Sequence, residues 1–210
     1  MHFVLTFLFC SCLYFLVQKL GSELISAIIE FMRIVSGEFG GRPLKTLPGK
    51  TTRPTSDKVR GAMFNMIGPY FDGGRVLDLF AGSGGLAIEA VSRGMSQAIL
   101  VERDRGAQAI IHENIKMTKA ESQFKLLKMD ARQALLQFDQ PFDLIFLDPP
   151  YAKEEIVATI EELDQRGLLS PQVMIVCETD KSVQLPEEIG SVGIWKEKIY
   201  GISKVTVYVI

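Results

Sequence analysis

Between residues 75 and 177, short apolar runs alternate with stretches of helical spacing, and few folds accommodate that alternation. The runs are Arg75–Phe80, Ala98–Glu102, Phe124–Met129, Phe142–Leu147 and Val173–Cys177. Near-continuous apolar runs of this length are strands covered on both faces, as in parallel sheets. Between them, Gly85–Ser92, Arg105–Thr118, Ala131–Gln137 and Glu154–Gln165 carry helical spacing, which makes each step a βα unit. After Leu185-Pro186 the pattern changes: Gly193–Tyr200 and Ser203–Ile210 flank Gly201-Ile202 with no helix between them, so they form an antiparallel hairpin. The expected fold is α/β, a doubly wound, mainly parallel seven-stranded sheet ending in that hairpin. Ligands of such sheets bind beyond the carboxyl ends of the strands, near the topological switch point. Upstream, Thr55 or Ser56 can cap a helix from Asp57 to about Tyr70, with Val59, Met63, Met66 and Ile67 at helical spacing.

Charge divides the chain further. The net charge of −2 over 210 residues excludes a uniformly basic nucleic-acid binder, and three cysteines exclude a disulfide scaffold. Residues 32–60 hold seven basic and two acidic groups, a net of +5, while residues 61–210 hold 15 basic and 21 acidic, a net of −6. A basic arm (32–60) thus precedes a mildly acidic domain (61–210). Residues 1–31 form an apolar leader with 21 hydrophobic residues and three charges, Lys19, Glu23 and Glu30. Its uncharged run, Phe3 to Val17, is short for a bilayer span, which needs about 20 residues. It also lacks the basic flank and small-residue cleavage site of a secretory signal. An upstream mis-assigned start, with the working chain opening at Met32, fits these features better than a membrane anchor.

The first strand runs into Asp78-Leu79-Phe80-Ala81-Gly82-Ser83-Gly84-Gly85-Leu86-Ala87. Glycines between a strand and a helix permit a tight turn and close approach of a ligand. Gly82–Ala87 with Glu102 downstream also matches a dinucleotide fingerprint, so a nicotinamide-dependent oxidoreductase is one alternative. Asp78 points elsewhere. An acid inside the strand, ahead of the glycines, repels a pyrophosphate and suits a ligand with an ammonium group and a positive sulfur. S-adenosylmethionine has both, together with ribose hydroxyls within reach of Glu102 and an adenine amine within reach of Asp130. Phe80, Ala81, Gly82, Ser83 and Gly84, with Arg103 and Ala131 beside two of the acids, complete the expected cofactor cradle.

The fourth strand runs into Asp148-Pro149-Pro150-Tyr151. Two prolines stiffen the backbone and remove two donors. The Asp148 carboxylate and the Pro149 carbonyl are then two adjacent acceptors, matched to an exocyclic –NH2 whose lone pair is conjugated into a ring. Holding both protons favours a tetrahedral nitrogen, proximity supplies much of the rate, and Asp148 can take a proton. Tyr151 offers a face on which a flipped base can stack.

From Met32 onward the chain resembles the bacterial small-subunit ribosomal RNA guanine-N2 methyltransferases of the RsmD type. The resemblance rests on Arg33-Ile34-Val35-Ser36-Gly37, Gly41-Arg42-Pro43-Leu44 and Arg53-Pro54-Thr55-Ser56-Asp57-Lys58-Val59-Arg60, with the less specific Phe80–Gly84 and Asp148–Tyr151 motifs. It implies a Rossmann-like class I methyltransferase that moves a methyl from S-adenosylmethionine to a guanine 2-amino group of 16S rRNA during small-subunit assembly. The partner would be 16S rRNA, the small subunit or an assembly intermediate, with no membrane or metal, and the enzyme cytoplasmic; the lack of a strong extra apolar face in the sequence points to a monomer. Two positions depart from the family pattern: Gly61, where members often carry an acid, and Ala87, where they carry glycine. The arm residues Arg33, Arg42, Lys45, Arg53, Thr55, Lys58 and Arg60 are the expected RNA contacts through phosphate neutralisation, with Arg53 and Arg60 facing the cleft. The Asp-Pro-Pro-Tyr motif also serves N6-adenine and N4-cytosine methylation, so N6-adenine is the alternative acceptor. A non-catalytic RNA-binding assembly factor would leave Asp148 and the glycine loop unused. His112, Cys177, Trp195 and Asn114 receive no catalytic role.

Overall fold

The computed structural model describes residues 32–46, 57–149 and 152–210. The sequence expectations for the leader, for the helix cap at Thr55 or Ser56, and for Arg53, Pro150 and Tyr151 lie outside the described residues. The strands are β1 (Arg75–Asp78), β2 (Gln97–Val101), β3 (Phe124–Leu127), β4 (Phe142–Leu147), β5 (Leu169–Asp180), β6 (Glu188–Ile189), β7 (Val192–Tyr200) and β8 (Ser203–Val209). The helices are α1 (Asp57–Ile67), α2 (Gly85–Ser92), α3 (Arg105–Thr118), α4 (Ala131–Leu135) and α5 (Ala152–Gln165). All eight strands join one sheet in the order β3-β2-β1-β4-β5-β8-β7-β6. The first five pair in parallel. β8 is antiparallel to both β5 and β7.

The doubly wound expectation holds, with eight strands among the described residues in place of seven. The extra one, β6, is two residues long and pairs with Val192 and Gly193, too short to leave a periodic signal. Its turn is set by Gly190 at φ +57° and by Asp164, whose carboxylate accepts from the Ser191 amide and hydroxyl, both at 2.7 Å. β5 runs well beyond Val173–Cys177 because β8 pairs with it as far as Asp180. α1 stops at Ile67, short of Tyr70. Gly68 has φ +134°, and Pro69 disfavours a helical conformation in the residue before it.

Period-two alternation along β4 shows how the core is divided. Leu144 and Phe146 join one apolar cluster with Met63 and Phe64 of α1, Ile88 of α2 and Ile111 of α3. Ile145 and Leu147 join a second with Leu135 of α4 and Ile156 and Ile160 of α5, and Phe142 joins them because the register shifts between it and Leu144. Both faces of β4 are covered, which is why its sequence reads as a continuous apolar run.

The first part of the arm folds onto the former layer. Met32, Ile34, Phe39 and Leu44 are buried in it, and a backbone ladder links Ile34 with Arg42 and Leu44 with Met32. Gly37, at φ +85°, lies so close to Ser92 that a Cβ there would overlap its carbonyl oxygen.

The arm, α1 and α2 meet at one side chain. Glu89, fully buried in the middle of α2, accepts from the amides of Val35 at 2.7 Å and Ser36 at 3.0 Å. It also accepts from Arg93 Nε at 2.7 Å and Arg60 Nε at 3.4 Å. Arg93 continues to the Pro69 carbonyl at 2.9 Å and lies over the Phe64 ring. Removing one member of such a buried group strands the others, at a cost of about 3–5 kcal/mol. Glu89→Ala is therefore expected to lose about that much stability in urea unfolding. A loss below about 1 kcal/mol would contradict the anchoring role.

Candidate active site

Strand order reverses between β1 and β4, and four acids stand at the carboxyl ends of four neighbouring strands. Asp78 closes β1, Glu102 follows β2, Asp130 follows β3 and Asp148 follows β4. Brought together by the parallel register, they line the switch-point edge where ligands of such sheets bind.

The loop from β1 to α2 supplies the backbone side of this edge. Gly82 and Gly84 both take left-handed φ, +56° and +80°, which glycine adopts without a Cβ penalty. Space above Gly82 is open. Ala87 N–H, in the first turn of α2, donates to Asp78 Oδ2 at 3.3 Å. Fully buried Ala87 fits that turn without glycine. Glu102 ties the loop to the next unit: Oε2 accepts from Gly82 N–H at 3.0 Å and Oε1 from Asp104 N–H at 2.7 Å.

Electrostatics single out two of the acids. Burial, only partly offset by the Ala87 amide, pushes the Asp78 carboxyl up to about 7, and the charges of Asp148 and Glu102 add to the rise. Asp148 stands at the solvent-facing mouth with protein around most of it. Those surroundings, with Glu178 of β5 nearby, push its carboxyl up to about 7 as well. Two acids that hold their protons up to about neutral pH in one cleft are the pattern of a working site. Asp78 suits a ligand cation, and Asp148 can accept or pass a proton near neutral pH.

Asp130 has a structural task too. Its Oδ1 accepts from Arg132 N–H at 3.0 Å, capping α4, while Oδ2 lies 3.7 Å from Arg103 Nη1. Both arginines, with Asp130, Glu154 and Glu155, line an open groove of about 560 Å³ next to the acid row. Phe80 is half-buried, and Ala81 and Ala131 are buried. Pro149, the residue after Asp148, is buried.

The basic arm divides into two groups. Arg60 does not face the cleft. It is 1% exposed, held by Glu89, by Asp57 at 2.8 Å and by the Arg33 carbonyl, so this charge is consumed inside the fold. Half-buried Arg42 donates to the carbonyls of Met117 at 3.1 Å and Thr118 at 2.8 Å, closing the end of α3. Arg33 and Lys45 are exposed and carry surface ion pairs, with Asp57 at 3.2 Å and Glu113 at 2.6 Å. Lys58 is exposed on α1. Sequence reasoning gave Asn114 no catalytic role, yet this buried residue joins Lys45 to Ser83 of the glycine loop. A polar residue on an otherwise ordinary helix offered only one signal, its place among the buried positions of α3.

Among the described residues, no group of three or more metal-ligating side chains converges. No helix there is long and apolar enough to cross a membrane.

The model of the family described as Conserved hypothetical protein 95 matches residues 32–209. The solved structure of a conserved hypothetical protein of Streptococcus pyogenes is 75% identical, covers 72% of this chain and 94% of its own, and superposes with a TM-score of 0.70. YlbH of Bacillus subtilis (strain 168), provisionally named an rRNA methyltransferase, is 44% identical over 180 residues, 84% of this chain and 98% of the relative. Ribosomal RNA small subunit methyltransferase D of Escherichia coli (strain K12) is 32% identical over 170 residues, 81% of this chain and 85% of the relative.

The raised Asp78 carboxyl has a measurable consequence. An unfolded carboxyl releases its proton near its ordinary 3.8, the native one near 7. Relative stability is therefore fully present below about pH 4 and lost as pH climbs through about 7. Asp78→Asn keeps an acceptor for Ala87 and removes the charge. It should melt above the parent chain at pH 8, with the gap closing near pH 4. A gap independent of pH would contradict the assignment.

Proposed function

The chain belongs to the family described as Conserved hypothetical protein 95, and on that premise we propose that it methylates the 2-amino group of a guanine in small-subunit ribosomal RNA, using S-adenosylmethionine. The observation that carries the proposal is the acid row beside the glycine loop, with Asp148-Pro149 on the adjacent strand. The relatives' names, small subunit methyltransferase D among them, support rRNA as the acceptor.

The residues fit the cofactor. Left-handed Gly82 leaves open space, and buried Asp78, which accepts from the Ala87 amide at 3.3 Å, offers charge to an ammonium group. Glu102 would hold the ribose hydroxyls, and Asp130 with Ala131 the adenine. When bound, S-adenosylmethionine supplies an electrophilic methyl whose leaving group is a neutral thioether. Asp148 and the Pro149 carbonyl hold the two N–H groups of the guanine amine, turning its lone pair out of the ring. Asp148 then accepts the proton that the methylated nitrogen sheds, and Tyr151 stacks on the base. Exposed Arg33, Lys45 and Lys58, with Arg53, neutralise phosphates.

Incubation with labelled cofactor and 30S subunits or naked 16S rRNA, followed by nucleoside analysis, tests the acceptor. N2-methylguanosine is expected, N6-methyladenosine would move the proposal to the other acceptor, and no transfer would overturn it. Because Asp148 must be ionised to take a proton, kcat should rise with pH through about 7 and then level. Asp148→Asn should lose roughly 100-fold or more in kcat, with cofactor affinity little changed.

Charge reversal at Arg33 and Arg53 should weaken RNA binding and flatten its salt dependence, by about one unit of log–log slope for each phosphate no longer neutralised. An unchanged slope would mean that the arm does not touch RNA.

A further inference from the structure

Asn114 is buried and uses its whole amide on two segments that the proposed function treats as separate. Oδ1 accepts from Lys45 N–H at 2.9 Å. Nδ2 donates to the Lys45 carbonyl at 3.0 Å and to the Ser83 carbonyl at 2.9 Å. One side chain thereby holds both backbone polar groups of an arm residue and one carbonyl of the glycine loop. At 2% exposure no water can substitute for these partners, so a displacement at either end leaves a buried polar group unmatched.

The flanking contacts place each end of the bridge beside a proposed ligand. Ser83 lies between the two left-handed glycines, Gly82 and Gly84, so anything that fixes this loop fixes the carbonyl that Asn114 grips. On the other side, Lys45 Nζ rests on exposed Glu113 at 2.6 Å. That surface pair is worth little and can be exchanged for a phosphate. The Lys45 backbone is thus locked through Asn114 while its amine remains available. Arg42, bonded to the carboxyl end of α3, keeps the neighbouring stretch of arm on the same helix.

We propose that Asn114 is a positioning residue that couples the two binding events: a cofactor seated on the glycine loop sets the Lys45 segment of the arm, and so raises affinity for RNA. The inference rests on the reading of the loop as the cofactor site and the arm as the RNA contact. Linkage requires the effect to be reciprocal, with RNA tightening cofactor binding by the same factor.

The test measures RNA affinity with and without saturating S-adenosylhomocysteine, using the 16S fragment or particle that the intact enzyme methylates. The parent chain should bind RNA about 5- to 10-fold tighter when the cofactor product is present, a typical coupling. In Asn114→Ala this ratio should fall to near one, even where both separate affinities drop. A merely structural role would lower the melting temperature and both affinities and leave the ratio intact, and that result would overturn the proposal.

Should Asn114→Ala fail to fold, hydrogen exchange in the parent chain gives the decision. Adding S-adenosylhomocysteine should slow exchange of the Lys45 amide, and unchanged exchange would overturn the proposal. A parent chain that methylates guanine but shows a ratio of one loses the coupling alone. A parent chain that binds no S-adenosylhomocysteine loses the functional reading instead.

Discussion

The buried carboxylate of Glu89 holds the working parts of this fold together. Lying one turn into α2, it gathers two amides of the arm and two guanidinium groups, from α1 and from the end of α2 itself. A lone charge at that depth would be prohibitive, and each partner is what makes the other tolerable. Since α2 springs directly from the glycine loop, anchoring the helix also fixes where that loop points. The described first part of the arm, residues 32–46, is consequently part of the same packed layer as the loop and not an appendage. Asn114 provides a second connection between them, on α3.

Across the sheet edge the balance is opposite. Among the described residues, no arginine or lysine pairs with Asp78 or Asp148 as Arg60 and Arg93 pair with Glu89. Burial and neighbouring acids instead push both carboxyls up to about 7. In one layer a buried acid is satisfied and structural; at the switch point two acids are left under-compensated, in the place where a ligand would approach. Stability is surrendered there as pH rises, which is common where geometry serves a ligand.

The sequence revealed the fold's interior better than its limits. Double-sided burial leaves unbroken apolar runs, so β1 to β5 and the hairpin were legible, and α2 and α3 begin and end where their spacing says. The ends of β5 and the whole of β6 were not, because they depend on partners across the sheet and on the Asp164 contacts to Ser191. Among the candidate site residues, the shared placement of the acids and the glycine loop on one edge was legible, because the carboxyl ends of parallel strands lie together. The arm could not be read from charge alone: Arg60 has the charge of an RNA contact and is a buried strut, while Arg42 closes a helix. Glu89 reads as an ordinary helix-surface acid. Its spacing to Arg93 and the apolar residues around it were the sole hints of burial.

The most direct measurement is a crystal structure of the chain with S-adenosylhomocysteine. The homocysteine amine is expected beside Asp78 and the glycine loop, the ribose hydroxyls on Glu102, and the sulfur facing Asp148. A ligand seated elsewhere, or absent at saturating concentration, would contradict the assignment of this sheet edge as the methyl-transfer site.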